Sequence, residues 1–349
     1  MSIVYHERPG VYSDYTVSGV SLSAGRAKTV ALIGYSEADA GLYVLNDPAD
    51  AAAFGESSEL GKMVKLAYQN GAGTILAYPV AADTETAYTT ALECVLAEKQ
   101  ASFCVVGSCR EDVQEALRDA VEDASVQRGE CIGLCGMLNA TKAELIARAA
   151  ELNSERMVLI GPDVYLPGSS SAVGGGMAAA ALAGCLTDQS DPAAPLNGQV
   201  LRGLTGVNAV YDDTEIDALV AGGVTVLECF GGRVSVMRGI TTRTTTGGTA
   251  DRTFRELSTV LIIDDVIPSI RTALKTKFAR AKNNALTRNA IRSQVVVELE
   301  ERIARQVIES YDHLTVTASA DDPTICVVEF EFAVVHGLNR IFLTAHISV

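Results

Sequence analysis

The 349 residues contain no tryptophan, and aromatic side chains make up only 5% of the chain. Proteins that hold single strands of nucleic acid stack the bases on aromatic platforms, so a site of that kind is not expected. Positive charge is scarce too: 28 Lys and Arg stand against 43 Asp and Glu, a formal net charge of −15. General DNA or RNA binding is driven by neutralising phosphates, so direct nucleic-acid contact is not expected. There are four histidines, His6, His313, His336 and His346, none of them in the stretch with alternating strand and helix patterns. A Ser-His-Asp or Cys-His site needs an imidazole beside its nucleophile, and no Gly-x-Ser-x-Gly elbow occurs. The eight cysteines form no Cys-x-x-Cys pair. Most lie in apolar runs such as Ser102-Phe103-Cys104-Val105-Val106 and read as reduced core thiols of a cytosolic product. Cys131 and Cys135 have no nearby histidine to complete a metal site. The longest apolar run, Met177 to Leu186, is about half the length a bilayer demands, so membrane insertion is not expected. The first residues carry neither the charged nor the apolar region of a signal peptide.

What remains is a chain that is 48% apolar and 20% charged, enough to build a sizeable core. Short continuous apolar runs recur at Val30–Gly34, Thr74–Tyr78, Phe103–Val106, Cys131–Leu134 and Met157–Ile160, each reading as a buried strand. Between them, Leu60–Gln69, Glu85–Lys99, Glu111–Val126 and Lys142–Leu152 show helical apolar spacing. This alternation predicts a mainly parallel sheet with helices on both faces. A small-residue helix is expected over Ser171–Leu186. Val224–Glu228 and Val234–Met237 read as a hairpin about Gly231-Gly232. The chain then turns helical, with one helix over Val266–Ala281, a break at Asn283-Asn284, and a second helix over Thr287–Tyr311. Two strands follow, over Thr324–Val335 and Arg340–Val349; Ile341, Leu343, Ala345, Ile347 and Val349 share one face of the last. The fold class is therefore α/β, with an α+β C-terminal domain and extended terminal arms. The expected divisions are an arm over 1–26, a central domain over 27–222, a C-terminal domain over 223–337 and a strand arm over 338–349.

Chemistry-bearing motifs are few. Gly55 to Met63 has one residue too many for a phosphate-binding loop, and Met63 stands where a Mg²⁺-binding hydroxyl belongs. Gly174-Gly175-Gly176 does not make a dinucleotide fingerprint. Asp264-Asp265 reads as a helix N-terminus and Asp321-Asp322 as a turn. No cofactor, metal site or catalytic residue emerges. The alternative to a structural role is a soluble α/β enzyme or nucleotide-binding protein, and these missing motifs disfavour it. The most anomalous feature is charge: Arg271, Lys275, Lys277, Arg280, Lys282, Arg288 and Arg292 crowd one stretch that has no acidic residue. In so acidic a chain, such a face either is simply solvated or meets an acidic partner.

Several segments, in order, resemble the contractile tail sheath proteins of phage tails, R-type bacteriocins and related contractile injection systems. Arg8-Pro9-Gly10-Val11-Tyr12 is similar to their opening motif, and Thr29–Tyr35 to their first sheet strand. Ala52-Ala53-Phe54-Gly55, Asn70-Gly71-Ala72-Gly73 and Arg238-Gly239-Ile240-Thr241-Thr242 resemble later motifs, and Lys282-Asn283-Asn284 with Thr287-Arg288 resembles the break between two C-terminal helices. The resemblance implies a subtilisin-like topology for the central domain and a short sheath without large outer insertions. It also implies a helical homopolymer around an inner tail tube protein, flanked by baseplate and tail terminator proteins. Such a polymer is made and assembled in the bacterial cytoplasm, released in a phage tail or bacteriocin particle, and contracts without ATP to drive the tube through a cell envelope. Terminal strands that cannot pair within one subunit invite pairing with a neighbour. Ile3, Val4, Tyr5, Val11 and Tyr12 at one end, and Ile341 to Val349 at the other, are the expected linking arms. Arg271, Lys275, Lys277 and Lys282 are the expected contacts to the tube.

Overall fold

The computed structural model describes residues 28–345. Its first layers are built from β1 (Thr29–Tyr35), β2 (Tyr43–Leu45), α1 (Glu59–Gln69), β3 (Thr74–Val80), α2 (Glu85–Ala97), β4 (Phe103–Val106), α3 (Glu111–Val126), β5 (Ile132–Gly136), α4 (Lys142–Leu152) and β6 (Met157–Gly161). There follow β7 (Val164–Tyr165), α5 (Gly175–Asp188), β8 (Gly206–Val207), α6 (Asp213–Ala221), β9 (Val224–Phe230) and β10 (Arg233–Val236). Helices α1, α2, α4 and α6 start where a side chain takes up one of their first unpaired N–H groups. Ser58 Oγ accepts from Gly61 N at 2.9 Å to open α1. At α4, Thr141 accepts from Glu144 N while the Glu144 carboxylate accepts from Thr141 N at 2.7 Å.

Eight strands form one sheet in the order β10-β9-β6-β5-β4-β1-β3-β2, parallel except at its two ends, where β10 and β2 run antiparallel to their neighbours. Alternation along each strand splits the core in two. Val30 and Leu32 face the side covered by α1 and α5, while Ala31 and Ile33 face α2, α3, α4 and α6. Helix α5 is buried from Gly175 to Leu186, because its glycines let backbone meet backbone. A Cβ on Gly136 would lie 2.4 Å from Gly175 Cα, and one on Gly176 would lie 2.9 Å from Gly107 Cα. The helix is shorter than expected at its start, Gly175 instead of Ser171. The Gly231-Gly232 hairpin forms, but as the end of this same sheet. The expected boundary between residues 222 and 223 therefore falls inside the sheet, since β9 completes a hydrogen-bond ladder with β6 that no local pattern reveals.

The C-terminal part follows a small ribbon of β11 (Thr245–Thr246) and β12 (Thr249–Ala250). It comprises α7 (Leu257–Phe278), α8 (Ala285–Ala304), β13 (Ile308–Ala318) and β14 (Cys326–Val334). Ile262, Val266 and Ile270 of α7 meet Val295 and Leu299 of α8 in a third core, to which half-buried Phe330 and Phe332 of β14 contribute. Their rings stack with centroids 6.1 Å apart.

Three expectations are corrected here. Helix α7 begins at Leu257, not Val266, because Leu257, Val260 and Leu261 are held in the central core. Helix α8 ends at Ala304 instead of running to Tyr311: Gln306 takes a left-handed φ of 58° and the chain enters β13. The strand expected over 340–349 does not form in its described part, where residues 340–345 make no ladder with any other described residue.

Candidate assembly surface

Largely buried ion pairs hold helix α7 to the central layers on one side and to α8 on the other. Arg156, just before β6, donates to Asp264 Oδ2 at 2.5 Å. Arg302 of α8 lies 3.3 Å from Asp265 and 3.0 Å from Glu298. Asp264-Asp265 is thus a mid-helix anchor, not the helix N-terminus that acidic residues usually mark. Burial pushes the Asp264 carboxyl above its ordinary range, with Arg156 opposing. Burial disfavours the Arg156 charge, but Asp264 outweighs it and holds the guanidinium protonated. Arg238 pairs with Glu256 at the start of α7, and Lys28 Nζ donates to the carbonyls of Gln189 and Leu186.

The four cations read as tube contacts divide on this frame. Arg271 is already paired: its guanidinium lies 2.8 Å from the largely buried Glu130, while its own side chain keeps 35% exposure. Burial raises the Glu130 carboxyl, and Arg271 more than offsets this, leaving it below its ordinary value. Lys277 donates to Gln294 of α8 at 2.5 Å. Lys275 is exposed on the last turns of α7, a position the helix dipole favours for a cation. Lys282 is exposed but lies beyond the helix, which ends at Phe278, so it shares no helical edge with Arg271 and Lys275. What brings the last cations together is a folded tip. Asn283 Nδ2 donates to the carbonyls of Pro323 and Ile325 at 2.7 and 3.1 Å, tying the α7–α8 loop to the β13–β14 turn. Asn284 Oδ1 accepts from Thr287 N and opens α8, and Arg288 donates to Asn283 Oδ1. Arg280, Lys282 and Leu286 stand exposed on this tip.

The hairpin β13–β14 is a two-stranded sheet of its own, with its outer edges unpaired among the described residues. After it the chain doubles back over the central layers. Asn197 Nδ2 donates to Asn339 Oδ1 at 2.8 Å, and Arg340 lies 3.2 Å from Asp217. Ile341 and Leu343 are then 79% and 90% exposed, and Ala345 is exposed too. The other expected arm residues, Ile3, Val4, Tyr5, Val11, Tyr12, Ile347 and Val349, lie outside the described residues. Sequence reasoning missed β13 and the role of Glu130. Bulges between Ile308 and Ser310 and between Asp312 and Thr315 break the alternation of β13. Nothing local links Glu130 to Arg271. Among the described residues, no group of His, Cys, Asp and Glu could hold a metal ion, and no helix is long and apolar enough to cross a membrane.

The described chain thus comprises an α/β body, a helical subdomain held to it by ion pairs, and an exposed, largely apolar segment over residues 341–345. Two family models match the chain: the phage tail sheath protein central domain over residues 81–242, and the phage tail sheath C-terminal domain over residues 249–348. The chain belongs to the phage tail sheath family. No curated protein sequence matches it. Among solved structures, a chain of the anti-feeding prophage baseplate superposes with a TM-score of 0.76 at 17% identity, covering 99% of this chain and 100% of that one. The sheath tail protein of Desulfitobacterium hafniense gives 0.70 at 13% identity, covering 93% and 100%. The sheath complex of the extracellular contractile injection system PVC, in its contracted state, gives 0.71 at 14%, covering 99% of each. These similarities extend the shared fold over almost the whole chain.

Proposed function

We propose that this chain is a structural, non-enzymatic subunit that polymerises helically around an inner tail tube and contracts without ATP to drive that tube through a target envelope. The observation that carries the reading is the mismatch at the C-terminus. Among the described residues, a two-stranded sheet with open edges and an apolar, exposed segment over 341–345 coexist without pairing to each other. Open edges of this kind are completed by strand addition from another chain. Residues 1–26 and 338–349 act as the linking arms, so the mesh stays connected while the body, braced by Arg156–Asp264 and Arg271–Glu130, moves as a unit. Free energy stored in lattice contacts at assembly supplies the work, and no nucleotide or other cofactor takes part.

The tip carrying Lys275, Arg280 and Lys282 is the tube-facing element, with Lys277 beside it. Arg271 supports it from behind by fixing α7 to Glu130. The ends of the polymer meet baseplate and tail terminator proteins. Assembly takes place in the bacterial cytoplasm, before release in a phage tail or bacteriocin particle.

The test is assembly of purified protein, followed by electron microscopy and circular dichroism. Deleting Ile341–Val349 is expected to abolish tubes while leaving the central α/β spectrum intact; normal tubes from that variant would overturn strand linkage. Reversing Lys275 and Lys282 to Glu is expected to spare sheath-alone polymers and impair coating of purified tubes. The wild-type advantage should shrink at high salt, since exposed pairs are weak and screened. Equal coating at low salt would place the tip away from the tube.

A further inference from the structure

The β9–β10 hairpin is held firmly everywhere except at its end. The outer edge of β10 is covered, with Gly198 N and Leu201 N donating to Val236 O and Val234 O and Val236 N donating to Gln199 O. Beyond that cover, Gly231 and Gly232 take φ of 58° and 75°, the double left-handed turn that closes a two-residue hairpin tightly. The turn projects Phe230 and Arg233, a cross-strand pair, into solvent, with Phe230 86% exposed. Large exposed aromatics beside an arginine are the side chains that anchor protein interfaces.

The complementary feature is on the same molecule. Helices α2 and α3 diverge over a groove of about 510 Å³. Its floor is apolar, with Leu92 and Leu96 of α2 facing Ala116, Ala120 and Ala124 of α3, and Asp119 and Asp123 stand exposed on its rim. Glu85 and Glu93 add to the negative charge of the rim, which also carries Lys99; Arg118 lies 2.8 Å from Asp119 and shares that carboxylate, while Asp123 stands exposed beside it. A volume of this size takes an aromatic ring. The groove lies over the β1–β3–β4 side of the sheet, while the hairpin forms the far end beyond β6. Helices α4 and α6 cover the same face between them, so one subunit cannot fill its own groove.

We propose that Phe230 of one subunit enters the α2–α3 groove of a second copy of this chain, with Arg233 meeting Asp119 and Asp123 on its rim. A knob and a hole on different sides of one molecule make a heterologous contact. Such a contact propagates head to tail and gives rings or open helices instead of closed dimers. The inference builds on the polymer reading given above and adds a contact between globular bodies to the linkage by arms.

The test measures the lowest concentration at which purified protein polymerises, by light scattering and electron microscopy. Phe230→Asp is expected to raise it at least tenfold with an unchanged circular dichroism spectrum, since the residue touches no core. Arg233→Glu alone, and Asp119→Lys with Asp123→Lys alone, are each expected to weaken assembly. The combined variant, Arg233→Glu with Asp119→Lys and Asp123→Lys, is expected to recover most of it, a rescue that misfolding cannot produce. Assembly of Phe230→Asp at the wild-type concentration overturns the proposal, as does a combined variant no better than its parts. If deletion of Ile341–Val349 abolishes tubes while the hairpin variants assemble normally, the groove contact fails and the arm linkage stands. Wild-type protein that sediments as a monomer at every concentration overturns both.

Discussion

Removing the Asp264 carboxylate tests whether α7 is truly bolted to the central sheet. The Arg156 side chain is 14% exposed and the Asp264 side chain 17%, with 2.5 Å between them. In Asp264→Ala the guanidinium stays below the surface without its main partner. Breaking a buried pair from one side costs about 3–5 kcal/mol. Glu130 and Glu155 remain within the field of Arg156, so the expected loss is at the low end, about 3 kcal/mol. Replacing both partners, Arg156→Leu with Asp264→Leu, removes the stranded charge and is expected to be far milder than the single change, near neutral or slightly stabilising. Urea unfolding at neutral pH, below the concentration of assembly, reads the difference as a shift in midpoint. A loss under about 1 kcal/mol for Asp264→Ala would mean that the pair behaves as an exposed one and that α7 is not anchored by it. A double variant as damaged as the single would locate the cost in packing instead of charge.

Two further outcomes follow from the same surfaces. Arg271 holds the Glu130 carboxyl below its ordinary range. Its stabilising share is therefore present above the unfolded pKa and lost as pH falls through the folded one. The urea midpoints of wild type and Arg271→Ala should differ most near neutral pH and converge in acid; a constant gap would remove Glu130 from the explanation. Gly136→Ala would place a methyl 2.4 Å from Gly175 Cα, against backbone that cannot swing aside. A loss at or above the upper end of the usual overpacking range, about 3 kcal/mol, is expected by denaturant unfolding, and an unchanged midpoint would mean that α5 slides easily on the sheet.

Much of the fold was legible in the chain because its central elements are specified locally. The apolar runs of β1, β3, β4 and β6 lie where they were expected, and α3 and α4 have the bounds their apolar spacing predicts. A strand buried on both faces must be apolar throughout, and a helix on a sheet must carry a stripe, so each declares itself in a short window. The Asn283-Asn284 break was legible for the same reason, since Asn284 caps α8 by a contact three residues away.

Where the outcome depends on residues far apart in sequence, only the tertiary structure decided it. The reach of α7 back to Leu257 depends on the core it enters, and the membership of β9 and β10 depends on the β6 edge they find. Arg271 is paired because folding puts Glu130 beside it, and Asp264 is an anchor because Arg156 arrives from the start of β6. Charge periodicity shows that cations share a stretch of chain, but it cannot show which are already paired across the fold. The alternation of Ile341, Leu343 and Ala345 is a strand's pattern, yet these residues form no strand in the subunit. A strand exists only with a partner edge to bond to, and for this segment that edge is not supplied by the described part of its own chain.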